Sequence, residues 1–381
     1  MKKKIAIIDP LGAHGSSFHM YTFGQALGLE NCGIDVRIYT NDKTLNNNFT
    51  QLKVFNFYKN MFNSRFKFIN GLRWVIGSFR SIFHAKLSGY SIFHFHIFHI
   101  NLLILYNVLL TKFLFGKVVL TIHDVHSFNG TRDSHFLCQL VYKLADLHIT
   151  HNKFSKNEII KSYSNLEISK IHIIPHGNFL PFIDIKKKSY AKNILGLPKN
   201  KKILLFFGMI KEVKGLDVLL KGFRNVVSEN PDTILLIAGR VWQDSFEKYQ
   251  LLINKYNLTQ NIILHTKFIQ QDKVDYYFSS CDLVILPYKK IYQSGVLLMS
   301  LSYEKPVLVS DLLPFTEIIK NNENGFIFKS ESSSDLYEKI NSILNNKELI
   351  NKVQENSSEM IKAKYSWDEI GRLSKIAYQD L

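Results

Sequence analysis

The sequence predicts an α/β protein built from two Rossmann-like, doubly wound parallel sheets, and three observations carry that reading. Short apolar runs alternate with stretches of helical length almost to the end of the chain, the pattern of successive βαβ units. The alternation breaks after Pro175-His176-Gly177-Asn178, in the basic irregular segment Ile185-Lys186-Lys187-Lys188-Ser189, and then starts afresh. At 381 residues the chain also exceeds the size at which one hydrophobic core stops growing. The expected division is a first domain over 1–180, a second over 181–365, and an amphipathic terminal helix over 366–381 free to cross back to the first.

In the first half, residues 4–9 read as a buried strand. The basic opening and four-residue apolar run before Asp9 are too short for a signal peptide. A loop over 10–17 follows, then a helix over 18–32 and strands at 35–39, 91–96, 117–123, 147–150 and 171–175. The apolar window 100–115 is interrupted by Asn101, Asn107 and Lys112, short of about 18 clean apolar residues for a membrane span. It reads as a buried helix. In the second half, strands are expected at 202–207, 233–238, 261–265, 282–286, 306–309 and 325–328, and the two sheets are expected to face each other across a cleft.

Composition narrows the function. With 46% hydrophobic and 21% charged residues the chain is globular rather than disordered. Cys32, Cys138 and Cys281 are far apart and show no metal-ligand spacing, which disfavours disulfides and zinc and fits a reducing cytoplasm. The net charge of +16 is unevenly placed. Between Asp42 and Asp124 there is no acid but ten bases: Lys43, Lys53, Lys59, Arg65, Lys67, Arg73, Arg80, Lys86, Lys112 and Lys117. Phe55, Phe57, Tyr58, Phe62, Phe66, Phe68, Trp74, Phe79 and Phe83 are interleaved with them. Bases beside aromatic rings suit an anionic membrane surface over 43–117, and no nucleic-acid motif supports the competing acidic partner. A solvated basic face around a domain core is the plainer alternative.

The stretch 288–311 concentrates the chemistry. An apolar run ending at Pro287 leads into a polar loop holding Tyr292, Gln293, Ser294 and Gly295, then a helix-length apolar segment and the short strand Pro306-Val307-Leu308-Val309. A helix whose first turn is Ser-Gly, placed at the carboxyl edge of a doubly wound sheet, offers backbone N–H groups to a phosphate or diphosphate. An ordinary βαβ unit with a serine N-cap would read the same way.

The flanking motifs resemble a known family. Ile174-Pro175-His176-Gly177 precedes the linker, and Phe207-Gly208-Met209-Ile210-Lys211-Glu212-Val213-Lys214-Gly215 follows the first strand of the second half. Ala238-Gly239-Arg240, Leu286-Pro287-Tyr288, Lys305-Pro306-Val307 and Asn324-Gly325-Phe326 come at matching intervals. The first half adds Gly12 and Gly15 after strand one and Thr121-Ile122-His123-Asp124 after a central strand. Together these resemble GT-B fold glycosyltransferases, most of all glycosyltransferase family 4 (group 1), over nearly the whole chain.

The resemblance implies transfer of a sugar from a nucleotide-sugar donor to a saccharide or lipid-linked glycan acceptor, in bacterial surface polysaccharide or glycan assembly. It implies no metal and no bound cofactor, while the basic aromatic stretch over 43–117 adds the expectation of a peripheral place on the inner face of the cell membrane. Lys214 matches the family's diphosphate lysine, with the N–H groups of Ser294 and Gly295 on the same oxygens. Tyr292 or Gln293 then faces the sugar, and Gly208, Lys211 and Arg240 complete the donor side. Gly12, His14 and Gly15 form the loop beneath the diphosphate. His123 matches a histidine that touches the donor sugar, and Asp124 orients that imidazole or serves as base for the acceptor hydroxyl.

Two departures stand out. The family's paired glutamates are replaced by Ile291 and Met299, so ribose recognition is expected to differ, and Met209 occupies a basic position that Lys211 is close enough to fill. A GT-B sugar-nucleotide epimerase and a non-catalytic partner subunit are the alternatives.

Overall fold

A strand covered by helices on both faces needs a nearly continuous apolar run, because neither face meets water. Ile5-Ala6-Ile7-Ile8 and Ile203-Leu204-Leu205-Phe206 are such runs, and all eight residues are buried. The computed structural model describes residues 3–15, 18–46, 49–126, 134–163, 166–242 and 245–381. Ser16 and Ser17 of the first loop lie outside the described residues.

The chain divides into two units, Met1–Gly177 with Tyr365–Leu381, and Asn178–Lys364. The first contains β1 (Lys4–Asp9), α1 (Phe18–Asn31), β2 (Asp35–Asn41), β3 (Lys53–Tyr58), α2 (Lys67–Leu87) and β4 (Ile92–Ile97). It continues with α3 (Leu102–Phe113), β5 (Lys117–Ile122), α4 (His135–Leu144), β6 (Leu147–Thr150), α5 (Lys153–Ser162) and β7 (Ile171–Ile173). The second opens with α6 (Lys188–Ile194), β8 (Lys202–Phe207), α7 (Leu216–Glu229), β9 (Thr233–Ala238), α8 (Glu247–Lys255) and β10 (Ile262–His265). Then come α9 (Gln271–Ser280), β11 (Leu283–Leu286), α10 (Gly295–Ser302), β12 (Val307–Ser310), α11 (Leu313–Thr316) and β13 (Phe326–Phe328). Helices α12 (Ser333–Leu344) and α13 (Lys347–Lys364) complete this unit, and α14 (Trp367–Ala377) belongs to the first.

The first sheet has the order β3-β2-β1-β4-β5-β6-β7 and the second β10-β9-β8-β11-β12-β13, with every pairing parallel. Strand order therefore reverses between β1 and β4 in one unit and between β8 and β11 in the other. Ligands of doubly wound sheets bind at that reversal, beyond the carboxyl ends of the strands. Helix α14 is seated on α1 by backbone contact: a methyl group on Gly371 would lie 2.1 Å from the Gly28 carbonyl oxygen.

Three sequence expectations need correction. Residues 53–58, read only as part of a basic aromatic stretch, form the edge strand β3. Its last residue, Tyr58, is fully buried with its hydroxyl 3.1 Å from Ser78 Oγ, so it is not part of any surface. Helix α3 buries only the stripe Ile104, Asn107, Val108 and Thr111, while Leu102, Leu109 and Phe113 are exposed. Finally, the acid-free interval is partly neutralised by acids from outside it. Lys53 pairs with Asp35 at 2.7 Å, and Lys112 and Lys117 with Asp146 at 2.7 and 3.6 Å. Parallel pairing brings distant residues to the same edge, which a linear count of charge does not register. Among the described residues no helix is long and apolar enough to cross a membrane.

Candidate functional site

In the second unit, the residues singled out from sequence converge on the carboxyl ends of β8 and β11. Gly215 closes the turn after β8 in a left-handed conformation, φ +67°, and starts α7. A methyl group there would lie 1.8 Å from the Pro287 carbonyl oxygen, so only glycine lets the β8 loop touch the end of β11. The contact continues through the Lys289 N–H, which donates to the Val213 carbonyl at 2.8 Å, and through Lys289 Nζ, 2.9 Å from Asp217. These contacts place Lys214 over the Tyr288 ring, its Nζ 3.6 Å from the ring centroid. A cation–π contact of this kind holds an ammonium in place without neutralising it. Tyr288 is itself buried, and its hydroxyl has no partner among the described residues.

Gly208, at the end of β8, faces the first turn of α10, where a methyl group on it would sit 3.5 Å from Val296 Cγ2. Ser294 is the N-cap of α10, its Oγ accepting from the Leu297 N–H at 3.2 Å. Its hydroxyl is thus committed to the cap, and the anion-binding capacity of this turn rests on the backbone N–H groups of Gly295 and Val296, which no preceding helical turn can bond. Tyr292 is buried and Gln293 half-buried just before the cap. Arg240, exposed after β9, has its guanidinium carbon 4.6 Å from the Trp242 ring centroid, and Lys211 Nζ is 5.9 Å from the same ring. Met299 and Ile291, where the family has carboxylates, are both buried.

In the first unit, Gly12, His14 and Gly15 form a 3-10 turn after β1. The Gly12 N–H donates to Asp9 Oδ1 at 2.9 Å, and Thr22 Oγ1 donates to Asp9 Oδ2 at 2.8 Å. His14 is half-buried against Phe62, with ring centroids 4.2 Å apart. Burial and the nearby Lys43 hold its pKa below the usual histidine value.

His123, directly after β5, is only 3% exposed and lies inside a group of histidines. His96, His123, His151 and His176 each stand near the carboxyl end of one of the four successive strands β4 to β7. Tyr21 of α1 lies in their midst, with centroid distances of 5.1, 5.0, 5.4 and 4.7 Å to the four rings. Phe98 stacks on His123 at 4.4 Å.

The hydrogen bonds assign the tautomers. His151 Nδ1 is 3.0 Å from the Ile174 carbonyl oxygen, which only accepts, so Nδ1 carries the proton and Nε2 is bare. His123 Nδ1, 3.1 Å from that bare nitrogen, must donate to it, leaving His123 Nε2 as acceptor. His96 Nδ1, 3.3 Å away, donates in turn, which leaves His96 Nε2 with a lone pair that has no partner among the described residues. Burial, reinforced by the neighbouring imidazoles, keeps His96 and His123 far below the usual pKa, and burial alone takes His151 to about 4. Burial thus holds these three rings neutral. Both nitrogens of His123 are therefore spent inside the unit, and the available lone pair is on His96. Asp124, the next residue after His123, is half-buried.

His96 was not singled out from sequence, nor was Asp9. A signal was present for the histidine: 94 and 96 alternate along a strand, and period two puts both on one face. That four strands each end near a histidine becomes visible only once the strands are placed side by side.

Comparison with known proteins bears on the fold and on the enzyme class. Residues 187–360 match the family Glycosyl transferases group 1. A putative glycosyltransferase of Bacillus subtilis, YtcC, is 24% identical over 282 residues, covering 70% of this chain and 68% of its own. The GDP-mannose:glycolipid 4-beta-D-mannosyltransferase of Xanthomonas campestris pv. campestris is 30% identical over 132 residues, 35% of this chain and 37% of that one. The structure of Anabaena HepE in complex with UDP and glucose superposes with a TM-score of 0.75 at 15% identity over all of both chains. Two parallel-sheet α/β units with ligand-suited carboxyl edges, together with these matches, define a GT-B glycosyltransferase. The stretch that matches Glycosyl transferases group 1 lies within the second unit.

Proposed function

We propose that the protein transfers a glycosyl group from a nucleoside-diphosphate sugar to a saccharide or lipid-linked acceptor, in assembly of a bacterial surface polysaccharide or a related glycan. The observation that carries this reading is the Lys214 ammonium held over Tyr288 at the strand-order reversal of the second unit, where α10 also begins. When the bond from the anomeric carbon to the diphosphate breaks, negative charge accumulates on the leaving oxygens. A fixed ammonium and the amino end of a helix stabilise that charge without a metal ion. The acceptor oxygen forms the new bond to the same carbon and gives up its proton to a base, a role open to Asp124. A glycolipid mannosyltransferase among the relatives and a UDP complex among the structural neighbours support this class of donor and acceptor.

Slow hydrolysis of one nucleotide sugar, accelerated by acceptor, is expected. A thermal-shift panel of nucleoside diphosphates and their sugars identifies the donor base. A protein that shifts with none of them and turns over none does not have this function, and turnover indifferent to any acceptor indicates an epimerase instead.

Attachment to the inner face of the membrane belongs to the same proposal. Helix α2 and its N-cap expose Phe66, Phe68, Leu72, Ile76, Phe79 and Phe83. Lys67, Arg73, Arg80 and Lys86 of α2 make no ion pair among the described residues. Each such base contributes about 1 kcal/mol at an anionic surface. Liposome co-sedimentation should require anionic lipid and weaken as salt shortens the Debye length. Equal recovery on neutral vesicles at high salt would overturn this attachment.

A further inference from the structure

A cavity of about 360 Å3 opens at the amino edge of the second unit's sheet, the end opposite the turns described above. Its floor is the start of three adjacent strands, marked by Lys202 of β8, Asp282 and Leu283 at β11, and Lys305 before β12. The end of α12, the start of α13 with Lys347, and Lys188 of α6 close its sides. Four lysines thus line the cavity against one carboxylate, and that carboxylate is spent. Asp282 accepts from Lys188 Nζ and, through Oδ2, from the Ile203 N–H at 2.9 Å. Lys202 Nζ donates to the Leu344 carbonyl oxygen at 2.8 Å, which holds the ammonium in place without removing its charge. Lys305 Nζ is 3.5 Å from the Ser279 carbonyl oxygen, and neither Lys305 nor Lys347 makes an ion pair among the described residues. Cys281, also in the lining, supplies no anion, since burial pushes the pKa of its thiol up to about 12.

The acids beside it line a different groove. Glu304, Glu355 and Glu359 border a neighbouring depression that shares only Asn351 and Gln354 with this cavity, and Glu304 is paired with Lys362 at 3.2 Å. Ammonium groups drawn to one cavity repel one another, and the amino end of α13 adds the positive pole of its macrodipole. A phosphoryl group, close to dianionic at neutral pH, relieves that repulsion and accepts from several ammoniums at once. Ile343, Leu344 and Ile350 leave part of the wall apolar, and a pocket of this size takes an organic molecule rather than an ion alone. We infer that this cavity binds a small phosphate monoester, its phosphoryl group among Lys202, Lys305 and Lys347 and its organic part against Ile343, Leu344 and Ile350. The site is distinct from the donor turns, which lie at the carboxyl ends of the same strands. The six residues of β8 alone separate the two edges by about 20 Å. The inference does not depend on the reading of the chain as a glycosyltransferase.

Phenyl phosphate is a suitable probe, with inorganic phosphate and phenol as its separated parts. Calorimetry on the full chain at low salt should show phenyl phosphate binding at least tenfold more tightly than phenol and about threefold or more over inorganic phosphate. Lys305→Gln and Lys347→Gln should each weaken it about tenfold, the worth of one charge-assisted hydrogen bond. Both variants should melt with the wild type, because neither lysine has an ionic partner to strand. Lys352→Gln makes the same change of charge on α13 outside the cavity lining and should leave the affinity unaltered, as should Lys214→Ala at the donor turns. Phenyl phosphate binding no tighter than phenol, or no tighter than inorganic phosphate, would overturn the inference. Unchanged affinity in both cavity variants would do the same, and so would equal weakening by Lys352→Gln, the mark of diffuse charge. Loss of binding in Lys214→Ala would also overturn it, by showing that the donor turns hold the probe.

Discussion

Replacing Lys214 with alanine is expected to lower transfer by about 100-fold or more while leaving stability within about 0.5 kcal/mol of wild type. The first figure is the cost of removing one preorganised donor from developing negative charge. The second follows because Lys214 is half-exposed and has no carboxylate partner among the described residues, so its loss opens no cavity and strands no charge. Its only described side-chain contact is the Tyr288 ring, and that contact adds a second arm. Tyr288→Phe keeps a ring under the ammonium and should retain most activity, whereas Tyr288→Leu removes the platform and should fall toward the Lys214→Ala rate. Steady-state kcat with saturating donor, beside a thermal melt of each variant, measures both effects. Transfer within about twofold of wild type in Lys214→Ala would show that the diphosphate is held elsewhere.

Acidification is expected to destabilise the first unit far more than the second. Burial depresses the folded pKa of His94 and His176 to about 3 and of His148 and His151 to about 4, and holds His96 and His123 well below their usual value. In the unfolded chain each titrates near 6.5. Below that pH the unfolded state takes up protons that the folded unit refuses, so the free energy of unfolding falls as pH falls. The slope is about 1.4 kcal/mol per pH unit for each histidine that stays neutral. Stability should therefore be nearly flat above pH 7 and drop steeply from pH 6.5 toward 4. Asp9, whose carboxyl is pushed up by burial, acts in the opposite sense, one group against six. The second unit contains a single histidine, His265, and should move much less. Differential scanning calorimetry between pH 7.5 and 4.5 separates these expectations. A first-unit transition that stays fixed down to pH 5 would mean that the histidine group is solvated and charged.

The residues proposed for the donor side could be singled out because their signals are local. Lys214-Gly215 before a helix and Ser294-Gly295 after a buried strand are dipeptides whose backbone consequences follow from adjacent residues. The histidine group was not legible in this way. Its members lie between 94 and 176 and become neighbours only because parallel pairing sets strand ends side by side. His123 was recognised for its position after a strand, but its neighbours decide what it offers, since His151 and His96 occupy both of its nitrogens. The basic aromatic stretch was legible as composition only. Folding turned Tyr58 inward and supplied Asp35 and Asp146 to three of its lysines, which left α2 as the coherent cationic and aromatic face.

By itself, the sequence determined the fold class, the recurrence of the βαβ scheme after the linker, and the turns proposed to hold phosphate. Apolar periodicity and glycine conformation act over a few residues, so they can be read along the chain. The tertiary structure alone decided strand order, the place where that order reverses, and which histidine nitrogens of the first unit are left without partners among the described residues. Those depend on residues far apart in sequence meeting across a sheet, and no local pattern of charge or hydrophobicity specifies which of them will meet.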